Sequence, residues 1–219
     1  MIFDGVVLKV YDLSHMLSVT DLSCTRGDRH LYAGVAFQLS AGACLHLQGD
    51  NGVGKTSLLR QVSGLSSISN GLIAWNGRSI VDHESFRSEC IYLGHHLAMK
   101  DDLSALENLQ MDATISGQMV HSDQVVTALH RLGLRGREHL PVRVLSQGQK
   151  RRASLARLLI RQATLWILDE PVAALDVAAQ VAVGRLLTAH LDDGGMVLFT
   201  SHQPLPIDSA SVATYRLQS

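Results

Sequence analysis

The chain has 219 residues, 46% of them hydrophobic, which is enough apolar material for a substantial core and excludes an intrinsically disordered chain. Its 19 Lys and Arg against 20 Asp and Glu leave a formal net charge of -1, so no basic excess points to nucleic acid and no such partner is expected. Three cysteines, Cys24, Cys44 and Cys90, are odd in number and lack C-x-x-C spacing, which argues for small buried hydrophobes in a reducing compartment over a disulfide or zinc framework.

The opening "MIFDGVVLKVYD" carries Asp4, Lys9 and Asp12, has no apolar h-region and is not read as a signal peptide. Residues 1–15 read as a dispensable extension, or as chain ahead of a true start at Met16. "LSVTDLS" and "LYAGVAFQLSAG" alternate as strands, and the uncharged stretch from Leu31 to Gly49 reads as strand, turn, strand rather than a membrane span. The protein is therefore expected to be soluble by itself. "ACLHLQ" is a strand running into "GDNGVG". "KTSLLRQVSG" follows with helical spacing and Gly64 as its C-cap. "GLIAWNG" and "CIYLG" are two further strands. From Leu103 to Leu140 the period changes, and "LSALENLQM" and "VVTALHRLGL" predict a helical insert. "SQGQKRRASLARLLIRQ" is a helix with Ser146 as N-cap. "TLWILDE" is a strand, "VAAQVAVGRLLTAHL" a helix and "GMVLFTSH" a strand, and "SVATYRL" is placed at the sheet edge. Strands alternating with helices indicate an α/β fold with a mainly parallel core sheet.

Two segments carry chemistry. Gly49 to Thr56, "GDNGVGKT", fits G-x-x-x-x-G-K-[ST] between a strand and a helix. Gly49, Gly52 and Gly54 let the backbone amides of Asp50, Asn51, Val53 and Ser57 turn toward phosphate oxygens. The helix start adds its positive end. Lys55 can reach the β and γ phosphates, and the Thr56 hydroxyl can ligate Mg²⁺. The second segment is "LWILDEP", where a buried-looking strand ends on Asp169 and Glu170. A buried carboxylate needs a partner. The reading is that this strand lies beside the strand ending at Gly49. Asp169 then faces Mg²⁺ through water, and Glu170 orients or deprotonates the attacking water.

"LSQGQKRR", Leu145 to Arg152, places a serine and a glycine at a helix N-terminus, a second anion site almost a hundred residues after the first. It is inferred to serve a nucleotide held by a second copy. With these motifs the sequence resembles the ATP-binding cassette (ABC) family across nearly the whole chain. "YLGH" stands at the Q-loop, followed by "LSALEN". "LSQGQ" resembles the signature LSGGQ, with Gln147 for a glycine. "LWILDEP" is similar to the Walker B strand, "AALD" to the D-loop with Asp176, and "TSH" ends in the switch histidine, His202. Two departures stand out: His95 at the Q-loop glutamine, and Arg26 at the aromatic that stacks on adenine. With "NGVGKTSLLR", "ATLWILDEP" and "SHQP", they make the chain resemble the ATP-binding subunits of haem exporters in bacterial cytochrome c maturation.

That resemblance implies one ABC ATPase domain over 1–219, with an α/β core from 1–95 and 160–219 and a helical subdomain at about 96–159. It implies ATP and Mg²⁺ as cofactors, with Lys55, Glu170, His202 and His95 in catalysis. Ser146, Gly148, Gln149 and Asp176 would bind nucleotide across an ATP-sandwich dimer, and Arg26 would meet the base. It further implies a membrane permease partner, an indirect link to haem-handling membrane proteins and a haem chaperone, and a peripheral place on the cytoplasmic face of the inner membrane. Export of another solute is the alternative, as is a soluble non-transport ABC ATPase, though tandem cassettes or a coiled-coil insert would not fit in 219 residues. A phosphate-loop kinase is disfavoured by the signature and the switch histidine. The 11 histidines are read as surface or core residues for the most part. Lys150, Arg151 and Arg152 are read as steering ATP, contacting a partner or, at least as well, forming a solvated helix face. Trp75 and Trp166 are read as core.

Overall fold

The computed structural model describes residues 15–207 and 212–218. The reading of residues 1–15 as extension lies, but for His15, outside that range. β1 (Met16–Arg26) pairs antiparallel with β2 (Arg29–Ser40). Its apolar residues do not keep a strict alternation, since Val19 and Leu22 are three apart. A bulge between them, with Asp21 at φ 48°, absorbs the extra residue and keeps Leu17, Val19 and Leu22 all buried.

β3 (Cys44–Gln48) leads into the phosphate loop and α1 (Lys55–Val62), which ends at Ser63 with Gly64 just beyond in the left-handed conformation (φ 72°). β4 (Asn70–Trp75) and β5 (Arg78–Ser79) follow, then the short α2 (Phe86–Glu89) and β6 (Cys90–Leu93). The helical region contains α3 (Ala105–Ile115) and α4 (Ser122–Arg131), then α5 (Gln147–Leu155) and α6 (Arg157–Ile160). β7 (Leu165–Asp169), α7 (Val177–Asp192), β8 (Met196–Thr200) and β9 (Val212–Arg216) complete the order.

Two sheets result. The antiparallel one runs β2-β1-β4-β5 and the parallel one β6-β7-β8-β3-β9, with β9 at the edge as expected. The sequence reading had β7 beside β3, and this is wrong: β8 pairs with both and separates them. Every residue of β7 and β8 is buried. The two most apolar strands therefore take the centre of the sheet, where both faces are covered.

The parallel sheet divides two cores. Leu165 and Ile167 of β7 and Met196 and Leu198 of β8 join Leu58, Leu59 and the antiparallel sheet on one side. Trp166 and Leu168, with Val197 and Phe199, face the helical side among Leu109, Leu129, Leu155 and Leu187. Successive residues of a strand point to opposite faces, so one five-residue strand serves both cores. Trp75 is buried in the first, with its indole N–H on Glu89 (2.8 Å), and Trp166 in the second.

Candidate nucleotide site

The phosphate loop is pinned from several sides. An added Cβ at Gly54 (φ 110°) would stand 2.9 Å from the Tyr32 ring, and one at Gly49 (φ 150°) would stand 2.8 Å from the Leu217 carbonyl. Both positions therefore need glycine for space as well as for conformation. The Leu217 amide in turn donates to the Gln48 carbonyl at 2.8 Å, tying the chain after β9 to the loop. The Val53 side chain is buried, so that residue offers the site only its backbone. Lys55 Nζ reaches back over the loop to the carbonyls of Gly49 (2.7 Å) and Asp50 (3.0 Å).

A cavity of about 440 Å³ lies over the loop. Asn51, Gly52, Gly54, Lys55, Thr56 and Ser57 line it, with Arg26, Arg29 and His202. Arg29 was not singled out by sequence; its proximity follows from the β1–β2 turn, which brings Arg26 and Arg29 into register as partners.

Although β8 intervenes, β7 still meets the loop, because the first turn of α1 projects over its C-terminal end. Thr56 Oγ1 donates to Asp169 Oδ2 at 2.7 Å. Asp169 is 3% exposed, and its other oxygen accepts from the Thr200 hydroxyl at 2.6 Å. Thr200, fully buried at the end of β8, was missed in sequence because "FTSH" draws attention to the histidine instead. The two carboxylate oxygens thus have one hydroxyl donor each, which is how a nearly dry carboxylate is tolerated.

Glu170 has φ 52°. It precedes Pro171, which ordinarily pushes its predecessor toward extended conformations. The Glu170 amide donates to the carbonyl (3.2 Å) and the hydroxyl (3.1 Å) of Thr200. Its carboxylate accepts from the His202 amide at 3.2 Å and stands 3.6 Å from the His202 ring. The glutamate and switch histidine are therefore adjacent, just past the ends of the neighbouring strands β7 and β8, and His202 lines the cavity.

The basic run after the signature is three separate devices rather than a solvated face. Lys150 pairs with Asp101 at 3.2 Å. Arg152 donates to the carbonyls of Leu132 and Gly133 after α4. Arg151 is 5% exposed and donates to the carbonyls of Gly94 (2.9 Å), Asp169 (2.7 Å), Glu170 and Pro171 (3.1 Å). Burial lowers its pKa, and the carboxylates of Asp169 and Glu170 oppose that shift.

The remaining predicted residues lie apart from the cavity. Ser146 and Gln149 form a capping box at the start of α5: the Gln149 amide donates to Ser146 Oγ (3.2 Å) and the Ser146 amide to Gln149 Oε1 (2.9 Å). A Cβ on Gly148 would stand 2.9 Å from the Ala174 carbonyl. Asp176 caps α7 through the Ala179 amide at 2.8 Å. None of the four lines the cavity, nor does His95, an exposed residue whose ring meets His96 edge-on with the centroids 5.9 Å apart. No group of three or more His, Cys, Asp or Glu among the described residues could hold a metal ion by itself.

Residues 32–173 match the family model of the ABC transporter domain. The chain belongs to the ABC transporter family. It is 46% identical over 203 residues to the cytochrome c biogenesis ATP-binding export protein CcmA of Dechloromonas aromatica strain RCB, covering 92% of this chain and all of the relative. It is 44% identical over 196 residues to the protein of that description from Pseudomonas aeruginosa, covering 89% and 97%. An ABC transporter ATP-binding protein of Pyrococcus furiosus has the same fold, with a TM-score of 0.79 at 26% identity over 92% of this chain and 97% of that one. The chain is accordingly an ABC ATPase, an ATP-hydrolysing transporter subunit.

Proposed function

We propose that this ABC ATPase drives the haem-export step of cytochrome c maturation by hydrolysing MgATP at sites shared between two copies of the chain. The observation that carries the magnesium site is the 2.7 Å contact between Thr56 Oγ1 and Asp169 Oδ2, two hard oxygens converging beside the phosphate loop. They would hold Mg²⁺, Asp169 through water, and the ion would draw charge from the β and γ phosphate oxygens. The amides of residues 49–57 bind the phosphates. Lys55 exchanges its two carbonyl acceptors for the β and γ oxygens. Glu170 orients the attacking water and takes its proton, with His202 beside it at the γ phosphate. Arg26 lays its guanidinium on the base, and His95 acts through water or through the permease contact.

The signature residues Ser146, Gly148 and Gln149, with Asp176, lie away from the cavity of their own chain. That supports a reading in which they close on the nucleotide of a second copy. Residues 96–159 then act as the helical subdomain of a single domain. No helix among the described residues is long and apolar enough to cross a membrane. Coupling therefore runs through a permease subunit held from the cytoplasmic face of the inner membrane, and through it to the haem-handling proteins and chaperone. The test is haem staining of c-type cytochromes in cells carrying only the Lys55→Ala chain. Holo c-type cytochromes should fall while b-type cytochromes are spared. Normal c-type levels with a failure to export another solute would refute the haem assignment.

A further inference from the structure

Arg151 has no part in the roles above, yet it is among the most buried charged side chains described. Its guanidinium makes no ion pair within 4 Å among the described residues and spends four N–H bonds on backbone carbonyls. Three of those carbonyls are consecutive, Asp169, Glu170 and Pro171, and they bracket the residue with φ 52°. A glutamate held at positive φ before a proline is strained, and persists only where its surroundings fix it. Thr200 fixes the amide side of that residue and Arg151 the carbonyl side. The fourth carbonyl, Gly94, immediately precedes His95.

We infer that Arg151 is a positioning residue for Glu170: its fork of donors holds the peptide units on either side of the glutamate so that the carboxylate is aimed at the attacking water. Through Gly94 the same guanidinium fastens the His95 loop, so the helix that presents the signature also sets the angle of the glutamate in its own chain. A lysine cannot reproduce this, because an ammonium lacks the planar fork.

The inference rests on Glu170 being the water-orienting group, and the experiment separates the two. ATP turnover is measured on full-length Arg151→Lys, Arg151→Gln and Glu170→Gln, with folding checked by thermal melting and nucleotide affinity by MgATP titration. Either Arg151 variant should lose kcat by ~10- to 100-fold, as a misplacement of about 1 Å can, with KM unchanged within about twofold. In a Glu170→Asp background the same Arg151 change should add little, since the carboxylate is already displaced. A structural clamp alone would multiply the two losses, which overturns the inference. So would near-normal kcat in both Arg151 variants beside an inactive Glu170→Gln, or failure of both Arg151 variants to fold. Full turnover by Glu170→Gln would instead overturn the reading beneath it.

Discussion

Asp169 is the residue on which the site turns. Its two oxygens are satisfied by hydroxyls from different elements, Thr56 on α1 and Thr200 on β8. Thr200→Val keeps the shape but strips one donor from a buried carboxylate, which should cost about 1–3 kcal/mol in a urea titration. It also frees one tether of the Glu170 amide, so turnover should fall further than stability alone would explain. Arg26 and Arg29 line the cavity, and under the proposed function such flat cations would meet a base without reading its edge. GTP should therefore compete with ATP within roughly tenfold, about 1.4 kcal/mol. A thousandfold preference for ATP in a competition assay would contradict that account. The phosphate-loop turn and the strand ending on two carboxylates were legible in sequence because each has a fixed spacing at the end of a strand. Arg151 was not: three adjacent cations look alike on paper, and only the docking of α5 decides which one is turned inward.

At the scale of elements, capping is where stability and function separate. Ser104 and Ser146 both begin helices with a complete capping box. Ser104→Ala should cost about 1 kcal/mol and leave nucleotide binding alone. Ser146→Ala should cost as much and also depress hydrolysis, since its hydroxyl belongs to the signature; equal kinetics for the two variants would count against the signature role. α7 carries a pH dependence. His190 stacks on Trp166 with ring centroids 3.6 Å apart, and burial pushes its pKa down to about 4. The folded chain thus keeps it neutral where the unfolded chain, with an ordinary value near 6.5, takes up a proton. Stability from this source is full above about pH 6.5 and drains away as pH falls toward 4, by up to about 3 kcal/mol. His190→Phe should flatten that part of the profile in denaturant melts. Most strands and helices could be read from period and turn signals, but their order in the sheet could not. Adjacency of β7 and β3 was expected because their ends share a ligand, whereas burial gave the place between them to β8.

At the scale of the molecule, the parallel sheet is a common wall between two cores. The carboxylates stand at the end of that wall, the phosphate loop rises on one side of it, and the signature helix packs on the other. In the sandwich reading, Glu170→Gln removes a negative charge near the phosphates while leaving the binding loop intact. Light scattering or gel filtration should then find a persistent dimer with saturating MgATP and mostly monomer without it. A chain that stays monomeric in saturating MgATP would sink the two-copy site.

The contact between Gly49 and Leu217 has a consequence for biosynthesis. The phosphate loop is made early, but the carbonyl that closes on it belongs to the segment after β9, the last strand in chain order. Folding that begins at the N-terminus during translation can build the antiparallel sheet from local pairings. The loop itself has to wait for a partner that follows the last described strand. A ribosome stalled before β9 should therefore display the whole G-x-x-x-x-G-K-T motif and still hold ATP poorly, and a bulky tag fused close behind Leu217 should weaken ATP binding in a titration.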